Sequence, residues 1–135
     1  MNKCFSLLFL PVIILSGCQT QPETVQVPQA VFNTNVITIE HSQLNQYWSL
    51  EQIKSVMLNK RPDWLPRGAG QGEYYITIDS NGNEVSKELI SSQPEGWMTQ
   101  KLVNKMPKQQ YEPAASNVKR VPVKVKVDFE IKRMN

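Results

Sequence analysis

The chain has 135 residues, a formal charge of +3, 40% hydrophobic and 8% aromatic residues. That length suits one domain and excludes two full ones, and the modest charge with its aromatic content excludes a disordered polyelectrolyte. Two cysteines are too few for a disulfide scaffold or a four-cysteine zinc site, and the lone His41 excludes a two-histidine metal centre.

Lys3 precedes an apolar run over residues 4–15. The run is shorter than the ~20 residues that span a bilayer and has the length of a signal-peptide hydrophobic region. It ends in Leu15-Ser16-Gly17-Cys18, which resembles the bacterial lipobox. The resemblance implies cleavage before Cys18, acylation of its thiol and new amino group, and removal of Lys3 and Cys4. No thiol pair is then left for a disulfide. The only attached group implied is this covalent lipid on Cys18, with no cofactor and no metal. Gln19 in the position after the cysteine implies sorting to the outer membrane, with the protein facing the periplasm. Residues 18–30 are rich in Gln and Pro and have no periodic apolar face, as in an extended tether. Its residues 19–29 reach roughly 35–40 Å when stretched.

Residues 31–135 form the folded unit. Val36-Ile37-Thr38-Ile39 is β-branched and predicts a short strand. A helix is expected next, with Ser49 as N-cap, Gln52 in a capping box, Trp48 stapled on Ile53, and Leu50, Ile53, Val56 and Met57 on one face. It ends near Asn59, before Arg61-Pro62. The glycine-rich stretch 68–72 lacks a phosphate-loop Lys-Ser/Thr and precedes a strand, so it is expected to be a flexible connector. Residues 74–78 and 85–90 flank Asn81-Gly82, a hairpin signal. That turn sets Ile78 against Val85 and Tyr74 against Leu89. It also sets Asp79 against Glu84, a like-charge pair that favours a longer loop, and leaves Lys87 on the apolar face.

A second helix follows Pro94 and runs to Met106, with Met98, Leu102 and Met106 as its stripe, broadened by Trp97 and Val103, and Pro107 as its stop. From Val121 to Ile131 apolar and polar residues alternate strictly, the mark of a strand with one buried and one wet face. Pro122 sets the start of that strand or places it at a sheet edge. These elements predict an α+β fold: a small antiparallel sheet of about three strands with two helices on one face.

The pattern over residues 61–132 resembles the C-terminal domain of the energy transducer TonB. Pro62-Asp63-Trp64-Leu65-Pro66 is similar to the family's Pro-x-Tyr-Pro segment, and residues 72–85 to its Gly, strand, Asp-Gly turn, Val hairpin. Tyr111-Glu112-Pro113 matches its Tyr-x-Pro, and residues 121–131 its closing strand. The resemblance implies that the closing strand pairs with a short extended segment of an outer-membrane receptor. The family's uncleaved membrane helix and long Pro-rich spacer have no counterpart here, so coupling to the proton-motive complex is not expected.

Asp128 and Glu130 share a strand face with Lys124, Lys126 and Lys132, which reads as a solvated charge ladder instead of an acid–base pair. Residues 101–135 are strongly basic and residues 18–100 are net acidic. Export argues against nucleic acid, leaving anionic lipid, acidic peptides or peptidoglycan as counterparts. No catalytic constellation is visible, so an enzyme is not expected. Two readings stand. In the first, a lipid-anchored module captures an extended segment of an envelope protein by β-strand addition, along an edge formed by Val123, Lys124, Val125, Lys126, Val127 and Asp128. In the second, the domain is an assembly subunit of an envelope transport or secretion machine and docks through its helical face.

Overall fold

A computed structural model describes residues 29–51 and 59–133. The β-branched run forms β1 (Ile37–Ile39), followed by a 3-10 turn (His41–Gln43) and a one-turn helix, α1 (Leu44–Tyr47). Then come β2 (Trp48–Leu50), β3 (Gly70–Ile78), β4 (Glu84–Gln93), α2 (Gln100–Lys105), β5 (Tyr111–Pro113) and β6 (Val123–Ile131). Four strands make one sheet in the order β1-β6-β3-β4, with β1 parallel to β6 and the other pairs antiparallel. β2 and β5 form a separate antiparallel ribbon. The α+β class is as expected, but the main sheet gains a parallel strand and the ribbon is new.

Alternation builds the core. Odd positions of β6 and even positions of β3 share one face, where Val123, Val125, Ile76 and Ile78 pack with Ile39, Leu44, Trp48 and Tyr111. Farther along that face Met98, Val103 and Met106 pack with Trp64, Leu89, Trp97 and Phe129, and Tyr74 touches both clusters. Each such side chain contributes about 1.5–3 kcal/mol when fully buried. Both helices therefore cover one face of the sheet.

The hairpin keeps the expected register from Tyr74↔Leu89 to Thr77↔Ser86. A bulge then sets Ile78 opposite Glu84 in place of Val85. The longer loop turns Asp79 inward, where its carboxylate accepts from the Asn81 and Asn83 N–H groups at 2.9 Å and from Val31 N–H at 3.1 Å. Lys87 does lie on the apolar face. It pairs there with the buried Glu84 carboxylate and donates to the Pro107 carbonyl at 3.1 Å.

Three expectations are corrected. Ser49 and Leu50 do not open a helix: they lie in β2, opposite Glu112 and Tyr111. Trp48 sits in the core with its indole N–H 2.8 Å from the Val121 carbonyl, so burial and strand pairing override the local capping pattern. Gln52, Ile53, Val56 and Met57 lie outside the described residues, as do the signal segment, Cys18 and most of the tether. The glycine-rich stretch is only partly a connector, because β3 begins at Gly70. A Cβ there would collide with the Trp97 indole, so glycine lets the ring pack against the strand. The second helix is shorter than expected. Thr99 caps it by accepting from Leu102 N–H at 3.3 Å, Trp97 and Met98 precede it, and Met106 is already extended before Pro107.

Tyr111 carries a pH prediction. Burial, reinforced by the nearby Glu84, pushes its phenol pKa well above the usual 10.0. Its proton is therefore held in the folded state and lost from the unfolded chain above about pH 10. Stability is present in full below that pH and falls as pH rises through the alkaline range. Thermal melts between pH 8 and 11 should show the fall, and Tyr111→Phe should flatten it.

Candidate peptide-docking edge of β6

The expected edge, Val123 to Asp128, is not free along its whole length. β6 pairs with β3 from Val123 to Ile131, and β1 covers its other side at Val123, Lys124 and Val125. The edge without a paired strand therefore moves toward the C-terminal end of β6, past the 3-10 turn that also contacts this strand. The reason is tertiary: a three-residue strand far away in sequence supplies the partner.

Peptide orientation follows from one hydrogen bond. Ile37 N–H donates to the Pro122 carbonyl at 3.2 Å. In a strand, each residue's N–H and C=O point to the same side, so the even-numbered peptide groups of β6 face β1 and the odd-numbered ones face β3. By the slanted parallel pattern, Lys126 N–H is directed at the Ile39 carbonyl, the last residue of β1. Beyond it, the Lys126 carbonyl and both peptide groups of Asp128 and Glu130 point away from β3, where no strand is paired among the described residues. Val127 and Phe129 turn their peptide groups inward to Tyr74 and Gly72 of β3.

The two faces beside this edge differ chemically. On the apolar face, Phe129 meets Trp64 edge-on with ring centroids 6.4 Å apart and Trp97 at 6.0 Å. On the polar face, Lys126 pairs with Glu73 at 3.0 Å and Lys124 with Glu88 at 2.6 Å, and Lys124 also sits 4.7 Å above the Tyr75 ring. Glu130 pairs with Lys132 at 3.4 Å. The Lys126 ammonium and the Ser91 hydroxyl hold the Glu73 carboxyl below its ordinary range, and Glu73 in turn raises Lys126. These pairs are exposed, and each adds little to stability. They make the even-numbered face a charge ladder. A depression of about 350 Å³ on it is lined by Gln71, Glu73, Ser91, Gln93, Asp128 and Glu130, among others.

The opposite edge of the sheet is covered over its first part, at Glu84 and from Lys87 to Leu89. The Gln100 side-chain amide accepts from Leu89 N–H at 2.8 Å and donates to the Lys87 carbonyl at 2.9 Å, standing in for a neighbouring strand on β4. The chain at Gln109 and Gln110 covers the start of that strand. Neither block was legible in the sequence, because a glutamine on a short helix carries no sign of which strand it meets.

His41 is exposed and lines a cavity of about 250 Å³ with Glu84, Lys87 and Tyr111. Among the described residues no group of three or more His, Cys, Asp or Glu is placed to hold a metal, and no helix is long and apolar enough to cross a membrane. Comparison with protein-family models, with curated proteins and with solved structures returned no match.

Proposed function

We propose that this protein is a lipid-anchored envelope module that binds an extended segment of another envelope protein by adding it as a strand to β6, beyond the end of β1. The observation that supports this reading most is the mismatch in length between β6, nine residues long, and β1, three residues long. It leaves the outward peptide groups of Asp128 and Glu130 in line with an existing parallel strand. A strand there would extend main-chain hydrogen bonding and place alternate side chains on the two faces. Apolar residues of the ligand would meet Val127, Phe129 and Trp64, and basic ones would meet Asp128 and Glu130. The lipobox at Cys18 and the resemblance of residues 61–132 to the TonB C-terminal domain supply the setting, with an outer-membrane receptor or a transport component as the class of partner.

Proline scanning of the full-length protein tests this. At Asp128 the N–H points outward, so Asp128→Pro deletes an edge donor and leaves the β3 ladder intact. Asp128→Asn changes charge alone. The proline variant should lose the protein that copurifies from detergent-solubilised envelopes, the asparagine variant should keep it, and both should retain the native circular-dichroism spectrum. Lys126→Pro should instead loosen β1, because its N–H is used within the sheet. A folded Asp128→Pro protein that still recovers the same partner would exclude β-addition here and favour an assembly subunit docking through its helical face.

A further inference from the structure

The end of the sheet where β1 and β6 begin carries a second surface. Residues 114–121 form a loop that is fastened on all sides. Ala114 N–H and the Asn117 side-chain amide both donate to the Tyr47 carbonyl, at 2.9 and 2.8 Å, and the Ser116 hydroxyl donates to the Gln46 carbonyl at 2.8 Å. The Asn117 side-chain carbonyl accepts from Val121 N–H at 2.9 Å, and its backbone carbonyl accepts from Arg120 N–H at 3.0 Å. Asn117 is buried, and Arg120 is held at a left-handed φ of 51°. At the tip of this frame Val118 is 86% exposed, followed by the exposed Lys119 and Arg120. A fold that fixes a loop so firmly and still holds an apolar side chain out in water is presenting it.

That tip has company. Val31, Phe32 and Val36 are 40%, 48% and 42% exposed. They lie at the same end, since Val31 and Asn33 are bonded to Asp79 and Ser80 of the hairpin turn and Ile37 pairs with Val123. Among the described residues, the other exposed large apolar side chains, Leu50 and Ile90, sit on β2 and β4. The acidic side chain of the turn, Asp79, is fully buried and occupied by three backbone N–H groups, so it does not offset the basic pair. The N-terminal tether also meets the domain here: Ala30 lies beside Asn83 and Glu84, just past the turn.

We infer that this end of the domain, through Val118, Lys119, Arg120 and the apolar rim of Val31, Phe32 and Val36, rests on the anionic lipid surface to which the tether ties the protein. The inference depends on the lipid-anchor reading of Cys18. The tether joins the domain at this end, which brings this end nearest to the membrane. An apolar tip flanked by cations matches an interface of acyl chain and anionic headgroup. The opposite end, with Ile131 and the outward edge of β6, then points away from the membrane toward the periplasm.

Depth-resolved quenching tests this arrangement with the lipidated protein in vesicles of phosphatidylcholine, with or without phosphatidylglycerol. The lipidated chain has no other free thiol, so Val118→Cys or Glu95→Cys takes one fluorophore, Glu95 lying past β4 at the far end of the sheet. A lipid-borne quencher should quench the label at 118 and spare the label at 95 in the anionic vesicles. Lys119→Glu combined with Arg120→Asn, the asparagine tolerating the left-handed backbone, should reduce the membrane-facing population by about 25-fold or more, fivefold for each of the two cations removed. Equal quenching at both positions, or quenching at 118 indifferent to that variant and to headgroup charge, would overturn the inference. So would protection of position 118 in whole envelopes but not on lipid vesicles, which would indicate a protein partner. Incorporation of a fatty-acid analogue and retention on vesicles in high salt report the anchor separately. Loss of these sinks the anchor reading and this inference together, whereas a retained anchor with an unquenched label at 118 sinks this inference alone.

Discussion

Val125→Asp is expected to leave no cooperatively folded domain. Val125 is fully buried and stands in register with Ile39 on one side and Ile76 on the other, at the centre of the first core cluster. A carboxylate there loses its hydration and meets only apolar neighbours, so it either stays charged at great cost or takes up a proton and remains without a hydrogen-bond partner. The loss, about 4 kcal/mol or more, is comparable to the whole stability of a domain of this size, about 5–15 kcal/mol. Far-ultraviolet circular dichroism and a thermal melt at pH 7 would show it. Lys124→Ala is the matched control. Its side chain lies on the other face, paired with Glu88 and over Tyr75, so the change should cost no more than about 1 kcal/mol. Similar damage from both variants would mean that β6 does not divide into a buried and a wet face.

Trp48→Ala should produce the second-largest loss. The indole is fully buried, packs in the first core cluster, and donates to the Val121 carbonyl at 2.8 Å. It thereby ties the β2–β5 ribbon to the segment leading into β6. Removing it takes away the transfer energy of a large ring and leaves a cavity, about 3–5 kcal/mol together, or a fall in melting temperature of about 10–20 °C. Trp48→Phe separates the two parts. It keeps most of the apolar volume, deletes the N–H and orphans the Val121 carbonyl, for about 1–3 kcal/mol. A Trp48→Ala protein that melts within a few degrees of wild type would show that the ribbon is an appendage and not part of the core.

Both tests rest on features with different legibility. The two faces of β6 could be read from residues 121–131 alone, because the period of two is a property of the strand itself. The hairpin was readable for the same kind of reason. Asn81-Gly82 and the apolar positions on either side set its register, and the Asp79–Glu84 conflict foretold a longer loop. Lys87 was correctly placed on the apolar face, but its partners Glu84 and Pro107 come from the bulge and from the chain beyond α2.

Tertiary structure alone decided the rest. Whether β6 is an edge depended on where Ile37–Ile39 docked, and a β-branched run specifies a strand without specifying its neighbour. Ser49 carried a helix-capping pattern and became a strand residue, because pairing with β5 and burial of Trp48 outweigh the ~1 kcal/mol that a helix cap supplies. Gly70 read as freedom of the backbone, whereas it is space for Trp97. The outward direction of the Asp128 and Glu130 peptide groups followed from one hydrogen bond between Ile37 and Pro122. Side-chain periodicity is encoded locally, one residue after another. Strand neighbours, and with them the edge available for binding, are settled by contacts between residues far apart in the chain.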